Sequence, residues 1–225
     1  MPNWAELTCP TFAVVDRPDA ARPDSCCRLS SPKTPISSRK VQIVNGIDSS
    51  LHLQLGAKLA DALRVQPVSR PWTTTTTWDD GFHTVTTARS HRVDADETTD
   101  YGAGDTAPTA YEHVLAALGS CLAAGMVLQA TLHGVALCHL SVEVTGGFDN
   151  LLQPGDPAGA ETAGYMALQV VGSVSADADD EVIRDLWDRV VSGSPVANTI
   201  RRPTTVVAGL RIIDPVEAPP AGDAA

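Results

Sequence analysis

Apolar residues recur in this chain at two distinct periods, and the switches between them mark out its elements. From Asp48 the period is helical. Asp48, Ser49 and Ser50 offer capping oxygens, and Leu51, Leu55, Leu59 and Leu63 follow at four-residue spacing, which predicts a short amphipathic helix over about 50–65. Pro67 and Pro71 end it. The β-branched run from Trp72 to Trp78 then predicts a strand, Asp79-Asp80-Gly81 a hairpin turn, and Phe82 to Arg89 the returning strand, with His91 to Asp96 extending the meander.

After a loop over Gly102 to Pro108, Thr109-Ala110-Tyr111-Glu112 has the capping-box pattern, so a long helix is expected to start there and to end at His133, with Gly134 just beyond. Val114, Leu115, Ala117, Leu118, Leu122, Met126 and Leu128 leave this helix almost no polar face, which requires cover on most of its sides. Its apolar run, Val114 to Leu128, would reach about 22 Å as a helix at about 1.5 Å per residue, short of the roughly 30 Å of a bilayer core. Burial within protein is the expectation. Leu140, Val142 and Val144 alternate with polar neighbours, predicting a half-buried strand that ends at Gly146-Gly147. Phe148 to Gly164 reads as a loop, and Met166 to Val174, apolar on more than one face, as a central partner strand. Ile183, Leu186, Trp187, Val190 and Val191 form one helical stripe behind Asp179 and Asp180, Ser194-Pro195 starts a further short helix, and Thr204 to Ile213 is expected to be a closing strand. Helices and strands without regular βαβ alternation give an α+β fold.

A content of 43% hydrophobic and 19% charged residues is that of a globular protein, and with only 4% aromatics its core must be built from Ala, Val and Leu. The formal net charge of −11 argues against nucleic acid or an anionic membrane surface as a partner. Residues 1–43, rich in proline and lacking an apolar period, read as a disordered extension; 44–213 read as the folded domain, and 214–225 as a flexible tail. Five cysteines, Cys9, Cys26, Cys27, Cys121 and Cys138, form no framework, and no signal core follows Met1, so a reducing cytoplasm is the expected location.

Phosphate loops are absent: Gly102-Ala103-Gly104 lacks a third glycine, and no lysine follows Lys58. The six histidines do not pair with carboxylates at ligand spacing, and Cys138-His139 would point to opposite faces of a strand, so neither a metal nor a cofactor is expected. Cys121 stands apart. Ala116, Ala117, Gly119 and Ser120 before it and Ala123 and Ala124 after it let backbone or substrate approach the sulfur. The plainer alternative is a core cysteine acting as a small hydrophobe. Glu112 lies nine residues before it, about 13 Å along the helix axis and on a roughly opposed face, so the two cannot touch within one helix.

The run from Gly104 to Cys121, with Glu112, Leu115-Ala116-Ala117 and the cysteine in order, resembles the central-helix signature of the OsmC/Ohr family. The similarity continues through Ala130 to Gly134, Leu140 to Asp149, and Ser194-Pro195-Val196-Ala197-Asn198-Thr199-Ile200, which is similar to the family's Cys-Pro-Val-Ser segment. Asn45-Gly46-Ile47-Asp48 resembles the opening of a subgroup with an added N-terminal helix. The resemblance implies an intertwined homodimer with antiparallel-rich sheets around two long central helices and sites at the subunit interface. It further implies an enzyme, a thiol peroxidase in which Cys121 attacks a hydroperoxide, becomes a sulfenic acid, and is restored by a thiol reductant. The family's second cysteine is replaced here by Ser194, which implies a one-cysteine cycle. By the same resemblance Arg89 and Arg92 are candidates for the activating cation and Glu112 for the acid, with helix capping the equal alternative for Glu112. Two other functions fit the same residues: acyl or sulfur transfer through Cys121, and non-catalytic binding of a small molecule in an apolar interface pocket.

Overall fold

The computed structural model describes residues 43–48, 54, 71–149 and 164–213. The extension over 1–43 apart from Ile43, the helix over 50–65 apart from Gln54, the greater part of the loop from Phe148 to Gly164, and the tail over 214–225 lie outside the described residues.

Strands β1 (Ile43–Val44) and β2 (Ile47–Asp48) form a small hairpin. Its turn places Asn45 and Gly46 at positive φ, the backbone that an Asn-Gly pair adopts most easily. Strands β3 (Thr75–Asp80), β4 (His83–Ala88) and β5 (His91–Ala95) follow as an antiparallel meander. The expected first strand is thus displaced by two to three residues toward Asp80, and Trp72 stands outside it, 89% exposed. Trp78 turns back over the hairpin, its indole N–H donating to the Gly81 carbonyl at 3.0 Å.

The spine is α1 (Ala110–Leu132). Thr109 and Glu112 close the expected capping box: the Glu112 amide donates to Thr109 Oγ1 at 3.3 Å, and the Thr109 amide to Glu112 Oε2 at 2.8 Å. At the other end Gly134 is left-handed, the Val135 amide donates to Ala130 O at 2.8 Å and the Gly134 amide to Thr131 O at 3.1 Å. This pairing satisfies the last carbonyls and turns the chain out of the helix. Asn45 clamps that turn to the first hairpin, donating to Val135 O at 2.9 Å and Thr131 Oγ1 at 3.2 Å while accepting from the Leu137 amide at 2.8 Å.

Leu118, Leu122, Met126 and Ala130, one side chain per turn, are the buried stripe of α1. They meet β6 (Leu137–Asp149), which pairs antiparallel with β7 (Gly164–Ala176), and the helices α2 (Asp180–Gly193) and α3 (Pro195–Arg201). Leu186, Val190, Val191 and Ala197 complete this core, and the stripe expected on α2 is its buried face.

Three expectations are corrected. First, β6 does not end at Gly146-Gly147 but runs on to Asp149. A Cβ on Gly146 would lie 2.5 Å from the ring of Tyr165 on β7, so this glycine admits an aromatic ring across the strand and is not a terminator. Second, β7 is not central: it pairs with β6 alone in the described chain, and Met166 is 71% exposed. Third, Thr204 to Ile213 is not a strand here. No strand of the described chain hydrogen-bonds to it, so its apolar side chains, such as Val207 at 91%, stand in solvent. Periodicity reports the side-chain pattern of such a segment but not whether a partner edge lies within the same chain.

The α1 helix is also less covered than its composition demands. Val114 is 42% and Leu128 36% exposed, and Ala116, Ser120 and Ala124 between them are exposed as well.

Two glycines on the β6–β7 hairpin yield a direct stability test. Gly146→Ala and Gly172→Ala, whose added methyls would meet the rings of Tyr165 and Trp187, are each expected to lower stability by about 1–3 kcal/mol in urea titrations. Gly147→Ala, with nothing within 4 Å of its Cβ position, should be neutral or stabilising.

Candidate active site around Cys121

The position of Cys121 follows from how α1 and α2 pack. A Cβ on Gly125 would fall 3.0 Å from Val190 Cγ1, so the absence of a side chain there lets the two helices come together. One turn from this contact, toward the start of α1 and the end of α2, stand Cys121 and Ser194. Their side chains meet, Sγ to Oγ, at 3.2 Å. Gly119 contributes on the sheet side, where its open Cβ position is 3.4 Å from Val144 Cγ2, allowing α1 to lie close on β6.

Cys121 carries a free thiol and is half-buried, whereas Ser194 is only 4% exposed. Ser194 is the N-cap of α3, with its Oγ accepting from the Ala197 amide at 3.2 Å and Pro195 in the first helical position. The hydroxyl is therefore fixed by the helix it caps. Among the described residues the sulfur has one polar partner, at a helix end, and the residue is only partly covered, so that a small reactant can approach.

The remaining predicted residues are placed elsewhere. The carboxylate of Glu112 is engaged at the start of α1 by the Thr109 amide, which gives it a structural role there. Arg92 is locked to Asp94 by hydrogen bonds from Nε at 3.0 Å and from Nη2 at 2.6 Å. These contacts raise the pKa of Arg92 and hold the Asp94 carboxyl below its ordinary range. Arg89 is exposed at the turn between β4 and β5, at a φ of 58°. Within one chain the described polar contact of Cys121 is with Ser194, and neither arginine joins it. Cys138 is half-buried and His139 exposed, and among the described residues no group of three or more His, Cys, Asp and Glu side chains could hold a metal ion.

The meeting of Cys121 with Ser194 agrees with the resemblance, which set Ser194 at the position of the family's second cysteine; residue periodicity alone gave no sign of it. Asp96 was missed from the sequence. It is buried in the loop leading to α1 and accepts from Thr106 Oγ1 at 2.8 Å, the Thr106 amide at 3.1 Å and the Glu97 amide at 2.9 Å. Its short side chain in a turn-rich segment is the only hint. A further link ties the meander to α1: His113 Nε2 lies 2.9 Å from Asp94 O, where it must carry the proton.

Residues 102–208 match the family model described as OsmC-like protein, and this part of the chain is an OsmC-like domain. Among solved structures, an OsmC-like protein from Mycoplasma pneumoniae aligns with a TM-score of 0.50 and 16% identity, over 60% of this chain and 89% of that one. The α+β architecture is thus the OsmC-like fold. A putative osmotic stress induced and detoxification response protein from Psychrobacter arcticus aligns at 0.48 and 14% identity over 59% and 90% of the two chains. An organic hydroperoxide resistance protein from Legionella pneumophila aligns at 0.43 and 15% identity over 60% and 91%. No curated protein sequence matches the chain.

The Asp96 latch makes the approach to α1 sensitive to acid. Hydrogen bonds from Thr106, first the amide and then the hydroxyl, lower its pKa from the ordinary 3.8. A carboxyl depressed in the folded state contributes stability above its unfolded value, and that contribution is lost as pH falls through the folded value. Asp96→Asn is therefore expected to unfold at lower urea than the parent at neutral pH, with the difference closing below pH 3.8. An equal difference at all pH values would contradict the latch.

Proposed function

We propose that this protein is a cytoplasmic, homodimeric thiol peroxidase that reduces organic hydroperoxides through Cys121 in a one-cysteine cycle. The observation that carries the reading is the 3.2 Å contact between the half-buried free thiol of Cys121 and Ser194 within an OsmC-like domain. The central helix supplies a reachable sulfur, and the neighbour that faces it has an oxygen that cannot form a disulfide.

In this mechanism the Cys121 thiolate attacks the distal peroxide oxygen of ROOH. The O–O bond breaks, the sulfur becomes a sulfenic acid, and the leaving alkoxide takes up a proton to depart as ROH. The sulfur is oxidised by two electrons and the peroxide reduced by the same two. A thiol R′SH then attacks the sulfenic sulfur, expelling water and leaving a mixed disulfide. A second thiol releases Cys121 as R′SSR′. The reductant must enter from outside the site, which agrees with the partial exposure of Cys121.

The homodimer is supported by surface a lone chain leaves open. The uncovered face of α1, the exposed Trp72 ahead of the meander and Trp78 and Phe82 within it, and the unpaired segment from Thr204 to Ile213 together expose more apolar side chain than a soluble monomer ordinarily tolerates. In a dimer built around paired α1 helices, Arg89, Arg92 and Glu112 act only if they reach the partner's sulfur.

Two experiments test the reading. Stoichiometric organic hydroperoxide should convert Cys121 to a sulfenic acid trapped by a dimedone-type probe, and Cys121→Ser should lose hydroperoxide consumption; undiminished consumption by the variant would end the peroxidase assignment. Sedimentation should give twice the mass of the chain, and Leu128→Glu, on the open face of α1, should shift it toward the monomer. A parent that sediments as a monomer would remove the dimer.

A further inference from the structure

We infer that Ser194 is the positioning residue of the Cys121 site, its hydroxyl donating a hydrogen bond to the thiolate sulfur while helix α3 holds that hydroxyl in place. The inference deepens the peroxidase reading and rests on it, naming the group that prepares its nucleophile.

The direction of the bond follows from counting lone pairs and protons. A serine hydroxyl has one proton to give and two lone pairs. The Ala197 amide donates to one lone pair at 3.2 Å, the capping bond of α3, and an amide N–H cannot do otherwise. The proton remains, and Cys121 Sγ lies 3.2 Å away. While the sulfur is a thiol, either atom can donate. Once it is a thiolate only the serine can, so the hydroxyl is then fixed in one orientation with its proton directed at the sulfur. The amide donating to Oγ polarises the O–H in the same sense.

Location strengthens the case. Ser194 is 4% exposed, so water competes poorly for its proton, and its backbone is held between the end of α2 and Pro195. The oxygen thus arrives with its geometry set by two helices. A cysteine at this position would be consumed as a partner in a disulfide. A serine leaves the cycle chemically unchanged and is available at every turnover.

Alkylation of Cys121 by iodoacetamide at fixed pH, with Cys121→Ser as background, reads the thiolate without any peroxide. Ser194→Gly retains a tolerable cap but no hydroxyl, and Ser194→Asp retains a capping oxygen but has no proton to give at neutral pH. Both are expected to alkylate about tenfold more slowly than the parent, the scale of one hydrogen bond to a charged acceptor. Ser194→Thr, which restores cap and hydroxyl together, should return the rate to within about twofold of the parent. A folded Gly or Asp variant reacting as fast as the parent, or a Thr variant as slow as those two, would overturn the inference. Because the readout needs no peroxide, its failure is separate from that of the peroxidase reading, which is decided by sulfenic acid trapping in the parent.

Discussion

The close approach of α1 and α2 at Gly125 and Val190 sets everything else in the site. With no side chain on Gly125, the valine methyls fill the space a Cβ would take, and the helices are fixed in register as well as distance. One turn away this register juxtaposes a sulfur and a hydroxyl that lie 73 residues apart in sequence. The core residues Leu122, Met126, Leu186 and Val190 surround the crossing and are all buried, so the polar contact is held by an apolar frame. Packing of this kind has few alternative arrangements, which is why a single hydrogen bond at its edge can be geometrically well defined.

Much of this was legible in the sequence because local chemistry and tertiary demand agree. The ends of α1 are written in Thr109, Glu112 and Gly134, whose caps require no distant partner. The stripe on α2 and the Ser194-Pro195 start of α3 are equally local. Where the sequence misled, a distant residue decided. Gly146-Gly147 has the composition of a strand end, yet Tyr165, reached only across the hairpin, makes the first of the pair part of a longer strand. Thr204 to Ile213 has the alternation of a strand without an edge in the described chain to bind it. The site divides in the same way: Cys121 was visible from its small neighbours, whereas its contact with Ser194 depends on helix register, which single-element periodicity does not encode and only the family resemblance pointed to.

The apolar balance of the chain points beyond one copy. A helix with as little polar surface as α1 gains from burial on every side, yet here its core-facing stripe is covered while Val114 and Leu128 stay open. The meander has a similar imbalance, since β3 is exposed along its whole length and Trp78 and Phe82 stand largely in solvent. These surfaces and the segment from Thr204 to Ile213 are physically alike: each leaves apolar side chains in solvent within one chain. The homodimer proposed above would cover such surfaces without requiring any change in the core of either copy.

The chemistry of Ser194 also explains how an oxygen can stand where the family resemblance places a second cysteine without disturbing the local architecture. Capping α3 needs only a side-chain oxygen that accepts the Ala197 amide, and serine is among the best residues for that task. An oxygen here caps the helix start better than a sulfur would and still meets the neighbouring thiol at 3.2 Å. What is surrendered is condensation, because an alcohol does not form a mixed chalcogen bond with a sulfenic acid under mild conditions. Under the peroxidase reading proposed above, an oxidised sulfur would wait for a diffusing reductant, and the partly open face of Cys121 would be a requirement of turnover instead of an accident of packing.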